Sequence, residues 1–225
     1  MAPRAWPWPI RYSAAMSEPR TPYLVDVRAL VMIGAAVLVS GAIAALFVWM
    51  TPRAAAREVK AACEGLAGNP VNPVLGKLPI AAKDVPDLAA PDHTGRIVHL
   101  SELKGKVVLL NFWGSWCSVC KSEKPSLSSI TRDLASDDFE VLTVASDTDW
   151  EAVKRVLPKG APYRVLLDRT AEDGEVGELA HSFGVKAVPE TFIIDKKGDI
   201  RFYLDNKRDW RGDIAHTCLQ SIIDE

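Results

Sequence analysis

Cys117 and Cys120, three residues apart, are the residues whose types and spacing most directly imply chemistry in this chain of 225 residues. They follow a run of strand-forming residues, Val107 to Trp113, that ends in the small-residue bend Gly114-Ser115, and a helical pattern begins after them. A cysteine at the first turn of a helix sits where unpaired main-chain N–H groups and the helix dipole favour negative charge. Its thiol pKa falls, and the thiolate is the nucleophile. Cys120, one turn on and on nearly the same face, can close a disulfide with Cys117 with little movement. That pair can perform thiol–disulfide exchange, with Cys117 attacking a partner disulfide and Cys120 resolving the mixed disulfide. Zinc is the other common use of Cys-x-x-Cys, but no second Cys-x-x-Cys and no His-x-x-x-His completes a site. The histidines His93, His99, His181 and His216 are scattered, so no metal and no cofactor is expected.

The two remaining cysteines, Cys63 and Cys218, are too few for a disulfide scaffold. Cys218 falls on an apolar helix face and reads as a buried structural thiol. For Cys63 a disulfide with Cys218, an intermolecular link and a free thiol are all open. With 48% hydrophobic and 25% charged residues the chain can build one well-cored domain plus appendages. Its net charge of -2 lacks the basic bias of a nucleic-acid binder.

The uncharged run Ala29–Met50 would be ~33 Å long as a helix, enough for a bilayer core of ~30 Å. Arg28 and Arg53 bracket it, and Trp49 suits an interfacial position. A signal peptide has a shorter apolar region and a shorter lead, although Ala54-Ala55-Ala56 also fits a cleavage site. The run reads as a single-span membrane anchor. Arg11, Arg20 and Arg28 before it balance Arg53, Arg57 and Lys60 after it, so charge alone does not set the orientation.

Four regions follow. Residues 1–28 are an aperiodic, proline-containing tail, expected to be disordered, with Met16 an alternative start. Residues 29–50 are the span. Residues 51–83 form a stalk, with an alanine-rich helix from Arg53 to Leu66 stopped at Gly68-Asn69-Pro70, and an extended linker is marked by Pro70, Pro73, Pro79 and Pro86. Residues 84–225 form the folded domain.

Within that domain two short strands, Val85–Pro91 and Arg96–Leu100, flank the turn sequence Asp92-His93-Thr94-Gly95. The apolar run Val107–Trp113 fits a central strand covered on both faces. A helix from Cys117 to about Ser136 contains Pro125, and Phe139–Ala145 is the next buried strand. Thr148-Asp149-Trp150-Glu151 has the form of a capping box, so a helix runs to about Leu157. Tyr163–Leu167 is a strand, and Glu175–Phe183 a helix ending at Gly184. Thr191–Asp195 and Ile200–Leu204 form a hairpin. Trp210, Ile214, Cys218 and Ile222 mark one apolar face of a last helix. The order β-β-β-α-β-α-β-α-β-β-α predicts an α/β fold with a mixed sheet and helices on both faces.

Phe112-Trp113-x-x-Trp116-Cys117-x-x-Cys120-Lys121, with Pro125 five residues on, resembles the thioredoxin superfamily. Asn111, Glu123 and Gly184-Val185-x-x-Val188-Pro189-Glu190-Thr191-Phe192 narrow the likeness to the membrane-anchored TlpA/ResA/CcmG (DsbE) group over residues 84–224. The segment Thr148–Leu167 resembles that group's central insertion.

The resemblance implies a thioredoxin-like fold and a redox-active Cys117–Cys120 disulfide, with Cys117 attacking and Cys120 resolving. Pro189 becomes a cis-proline beside the disulfide, and Val188 offers its backbone to an extended substrate. Trp116 and Val188 form an apolar rim, Glu190 is a further substrate contact, and Glu123 tunes or relays the proton of Cys120. Asn111 stands where cytosolic thioredoxins carry a buried Asp, so no proton relay is expected there.

The implied enzyme is a protein-disulfide reductase on the periplasmic side of a bacterial inner membrane. Its substrates are disulfide-containing proteins such as apocytochrome c, and its electron donor is a transmembrane thiol carrier. Val119 replaces the proline that many relatives place before the second cysteine, which bears on the redox poise. The alternatives are a general disulfide oxidant or isomerase, a copper chaperone, whose pattern has one more residue between the cysteines, and a peroxidase, whose pattern has Thr where Gly114 stands.

Overall fold

The computed structural model describes residues 26–67 and 85–225. The first part of the tail and the Pro70–Pro79 linker lie outside the described residues. The first element, α1, is one helix from Val27 to Ala67. Its Val27–Met50 stretch is long and apolar enough to cross a membrane, with a mean hydropathy of 2.5. The sequence reading places a break at Thr51-Pro52, but the helix continues through it. Proline removes one N–H donor from the helix, and the alanine-rich stretch that follows it favours the helix.

A compact unit runs from Pro52 to Glu225, so it begins earlier than residue 84. The end of α1 is the reason. Ala62, Cys63 and Leu66 are buried in the same core cluster as Ala215, Cys218 and Leu219 of the last helix. The segment expected to be a spacer therefore contributes to the core.

A hairpin of β1 (Ala89–Pro91) and β2 (Ile97–His99) leads through a 3-10 turn, Leu100–Leu103, into β3 (Val107–Trp113). Then follow α2 (Ser118–Asp133), β4 (Phe139–Asp147), α3 (Trp150–Val156) and β5 (Arg164–Arg169). The chain closes with α4 (Glu178–Ser182), β6 (Glu190–Ile194), β7 (Ile200–Asp205) and α5 (Asp213–Ile223). The predicted order of elements is reproduced. The five-stranded sheet has the order β5-β4-β3-β6-β7. β3 lies at its centre, parallel to β4 and antiparallel to β6.

Every residue of β3 is buried. Successive side chains of a strand point to opposite faces, and the two cores divide accordingly. Val107 and Leu109 pack with α2, α5 and the end of α1. Val108, Leu110 and Phe112 pack with the hairpin, the 3-10 turn and Phe183 after α4. Each fully buried side chain of this kind contributes about 1.5–3 kcal/mol. Helices cover both faces, as the apolar run requires.

Three local readings are corrected. The cap of α3 is Asp149, whose side chain accepts the N–H of Ala152, rather than Thr148. The helix expected over Glu175–Phe183 is the shorter α4. In α5 the buried face is Ala215, Cys218, Leu219, Ile222 and Ile223, whereas Ile214 is 53% exposed. Trp210 is fully buried but precedes the helix, so counting from it sets the wrong phase.

Cys218 is not a lone thiol. It is bonded to Cys63 across a separation of 155 residues. Closing so long a loop restricts the unfolded chain, so Cys63→Ser/Cys218→Ser should lose about 2–5 kcal/mol of stability in urea unfolding. An unchanged midpoint would contradict this role of the bond.

Candidate functional site

The strand-to-helix connection after β3 is four residues long, and the end of β4 holds Ser115 and Trp116 within it. Gly114 must be glycine, because a Cβ there would come within 2.5 Å of the Trp116 ring nitrogen. That nitrogen donates to the carbonyl of Ser146 at 3.0 Å. Ser115 donates its N–H to both carboxylate oxygens of Asp147 at 3.1 Å and its hydroxyl at 2.6 Å. Burial pushes the Asp147 carboxyl above its usual range, and these Ser115 bonds oppose the shift.

Cys117 is the N-cap of α2, one position before the first turn. Its sulfur accepts the N–H of Cys120 at 3.0 Å, and Cys117 and Cys120 are joined in a disulfide with Cα atoms 5.3 Å apart. Cys117 keeps 8% of its surface exposed and Cys120 none. Of the pair, only Cys117 keeps any exposed surface. The carbonyl oxygen of Val188 lies 3.6 Å from the Cys117 sulfur, and the Val188–Pro189 bond is cis. Trp116 and Val188 are half-buried, and Val119 is 40% exposed, so the surface around Cys117 is apolar.

Glu123 is only 1% exposed. One carboxylate oxygen accepts the indole N–H of Trp210 and the main-chain N–H of Arg208, both at 2.9 Å. The other accepts from the side-chain amide of Asn111 at 3.3 Å. Asn111 also donates to Thr191 of β6 at 3.0 Å. Glu190 is buried as well, at 6% exposed, rather than a surface charge. Burial pushes its carboxyl up, with Tyr203 and the main-chain N–H groups of Lys186 and Ala187 opposing the shift.

The sequence reading missed Lys124. Its ammonium is buried, donates to Asn111 at 3.0 Å and lies 3.9 Å above the centre of the Trp113 ring. Beside Glu123 it reads as a second solvated charge. The available signal was spacing: Cys120, Glu123, Lys124 and Leu127 stand at i, i+3, i+4 and i+7, the stripe a helix turns inward. Desolvation pushes the Lys124 ammonium down to about 7, with Glu123 and Asp147 opposing the shift.

The folded protein therefore binds fewer protons at Lys124 than the unfolded chain does between pH 7 and about pH 10. Stability must rise with pH across that window. Relative to Lys124→Met, the wild type should gain stability from pH 7 to pH 9, by at most about 1.4 kcal/mol per pH unit. Equal slopes in urea unfolding would show that the amine is solvated.

The sequence matches the AhpC/TSA family over residues 81–203. It is 31% identical over 118 residues to the thiol-disulfide oxidoreductase ResA of Bacillus subtilis, covering 52% of this chain and 63% of that protein. With ResA of Bacillus anthracis it shares 30% over 119 residues, covering 52% and 65%. The match thus spans less than two thirds of these relatives' length. Among solved structures, the thiol:disulfide interchange protein DsbE of Chlorobium tepidum superposes with a TM-score of 0.53 at 27% identity, over 61% of this chain and 94% of that one. The thioredoxin domain of a Bacteroides vulgatus thiol-disulfide oxidoreductase superposes at 0.52 with 24% identity, over 65% and 98%, and speaks for the thioredoxin-like fold alone. With more than half of its residues inside the family match, and a redox-type cysteine pair at the sheet's central bend, the chain belongs to the AhpC/TSA family of thioredoxin-like proteins.

Proposed function

We propose that the chain is a membrane-tethered thiol–disulfide oxidoreductase that reduces disulfides in extracytoplasmic proteins. The observation that carries this reading is the Cys117–Cys120 disulfide at the N-terminus of α2, with Cys117 slightly exposed and Cys120 fully buried. The names ResA and DsbE among its relatives support the same chemistry.

In the dithiol form, the Cys117 thiolate attacks one sulfur of a substrate disulfide. A bond forms between Cys117 and that sulfur, and the substrate's other sulfur leaves as a thiolate that takes a proton. Cys120, deprotonated, then attacks the Cys117 sulfur, closes the Cys117–Cys120 bond and expels the second substrate thiol. Two electrons pass to the substrate, and a thiol donor of the membrane must return them. The helix N-terminus favours the thiolate of Cys117.

Val188 presents its main chain to an extended substrate segment beside Pro189, as in strand addition. Trp116 supplies apolar contact, and Glu190 borders the same end of β6. Glu123, one turn after Cys120, serves as the buried group that tunes or receives the proton of Cys120. The apolar helix 29–50 is the anchor, and the unit from Pro52 to Glu225 carries the exchange chemistry on the periplasmic face of the inner membrane. Substrates of the cytochrome c maturation type, apocytochrome c in particular, fit this placement.

Cys120→Ser in the full-length protein should accumulate a mixed disulfide through Cys117 that a reductant releases, and Cys117→Ser should accumulate none. Both variants should lose exchange to the uncatalysed background. A Cys120→Ser protein that forms no mixed disulfide with a disulfide peptide would overturn the reading.

A further inference from the structure

The Cys63–Cys218 bond lies outside the exchange chemistry, yet a continuous set of bonds runs from it to the buried face of α2. Cys63 and Cys218 are 6% and 0% exposed, with Cα atoms 4.8 Å apart. Three residues after Cys63 is Leu66, whose carbonyl is one of the last four of α1 and has no partner within the helix. The side chain of Arg208 supplies that partner, donating Nε at 3.0 Å. The same guanidinium donates Nη1 to the carbonyls of Asp205 at 2.6 Å, Lys207 at 3.1 Å and Asn206 at 3.2 Å. It thereby ties the turn after β7 to the end of α1.

The main chain of Arg208 faces the other way. Its N–H donates to Glu123, on the oxygen that also receives the Trp210 indole. The hydroxyl of Ser126 in α2 reaches the Arg208 carbonyl at 3.4 Å. Residues 206–212, between β7 and α5, contain no helix or strand. Side-chain ties therefore set the position of this segment, and two of the three donors to Glu123 come from it.

We propose that Arg208 is a positioning residue that couples the docked end of α1, clamped by Cys63–Cys218, to the Cys117–Cys120 pair. This rests on the exchange reading given above. With the clamp closed, Arg208 bridges Leu66 and its own turn, and the turn aims two N–H groups at the carboxylate of Glu123. With the clamp opened by a dithiol reductant, which becomes a disulfide as Cys63 and Cys218 become thiols, the end of α1 loses its covalent hold on α5 and Arg208 loses its anchor. The carboxylate of Glu123 then has fewer ordered donors. A less neutralised carboxylate one turn from Cys120 disfavours a second negative charge on sulfur. The open state accordingly favours the Cys117–Cys120 disulfide over the dithiol and slows resolution by Cys120. The second disulfide becomes a setting for the first.

The test uses the full-length protein in detergent, equilibrated with reduced and oxidised glutathione, with alkylation state read on the peptide carrying Cys117 and Cys120. The variants are Arg208→Met, which keeps the main-chain N–H and removes only the guanidinium, Cys63→Ser/Cys218→Ser, and the combination. Arg211→Met is the control, since its guanidinium pairs with Asp209 on the surface. Arg208→Met and the cysteine variant should each shift the equilibrium toward the disulfide by about two- to thirtyfold. They should also slow the single-turnover resolution of a mixed disulfide. Because both act through one path, the combination should shift it no further than the larger single effect. Arg211→Met should match the wild type.

A purely structural clamp would lower the unfolding midpoint and leave the equilibrium and the resolution rate at wild-type values, which overturns the proposal. A shift toward the dithiol overturns it as well. A wild type that exchanges no disulfide at all would instead overturn the exchange reading beneath it.

Discussion

The N–H of Cys120 points at the sulfur of Cys117 across 3.0 Å, at a helix start where no preceding turn supplies carbonyls for the first N–H groups. Much of the surrounding structure serves to keep that start open and fixed. β3 must end at Trp113 and α2 must begin at Ser118, after only four residues, so the connection has no slack of its own. Gly114 removes the side chain that would strike Trp116, and Asp147 and Ser146 at the end of β4 take the polar groups of Ser115 and Trp116. β4 is held in register beside β3 along seven residue pairs, so the central sheet positions the bend directly.

Behind the sulfurs lies a buried polar strip, which is costly in a core unless every group is matched. Lys124 donates to Asn111, Asn111 to Glu123 and Thr191, and Trp210 and Arg208 to Glu123. The strip joins β3, β6, α2 and the segment before α5 in one network. Its members come from residues 111 to 210, so it forms only when the whole domain has folded. It sets the charge felt beneath Cys120, whereas the helix start sets the charge felt at Cys117. The two cysteines thereby receive different environments.

Much of this was legible in the chain. β3 has the bounds read from its apolar run, and the order of elements followed from alternating apolar patterns and glycine stops. The cysteine pair, its bend and the cis bond before Pro189 were reachable through spacing and motif. What escaped depends on partners far apart in sequence. Lys124 looks like a solvated charge until Asn111 and the Trp113 ring arrive. Arg208 gives no local sign of reaching Leu66, 142 residues away. The Cys63–Cys218 pairing was one of several open choices because α1 reads as ending its role at the membrane. In α5, including Trp210 in the helical count rotated the predicted face onto Ile214.

The central claim is that the N-terminus of α2 activates Cys117. The direct measurement is the rate of alkylation of Cys117 in the reduced full-length protein as a function of pH. The account predicts a half-maximal rate well below that of a free cysteine, whose thiol titrates near about 8.5. A midpoint at or above that value would contradict it.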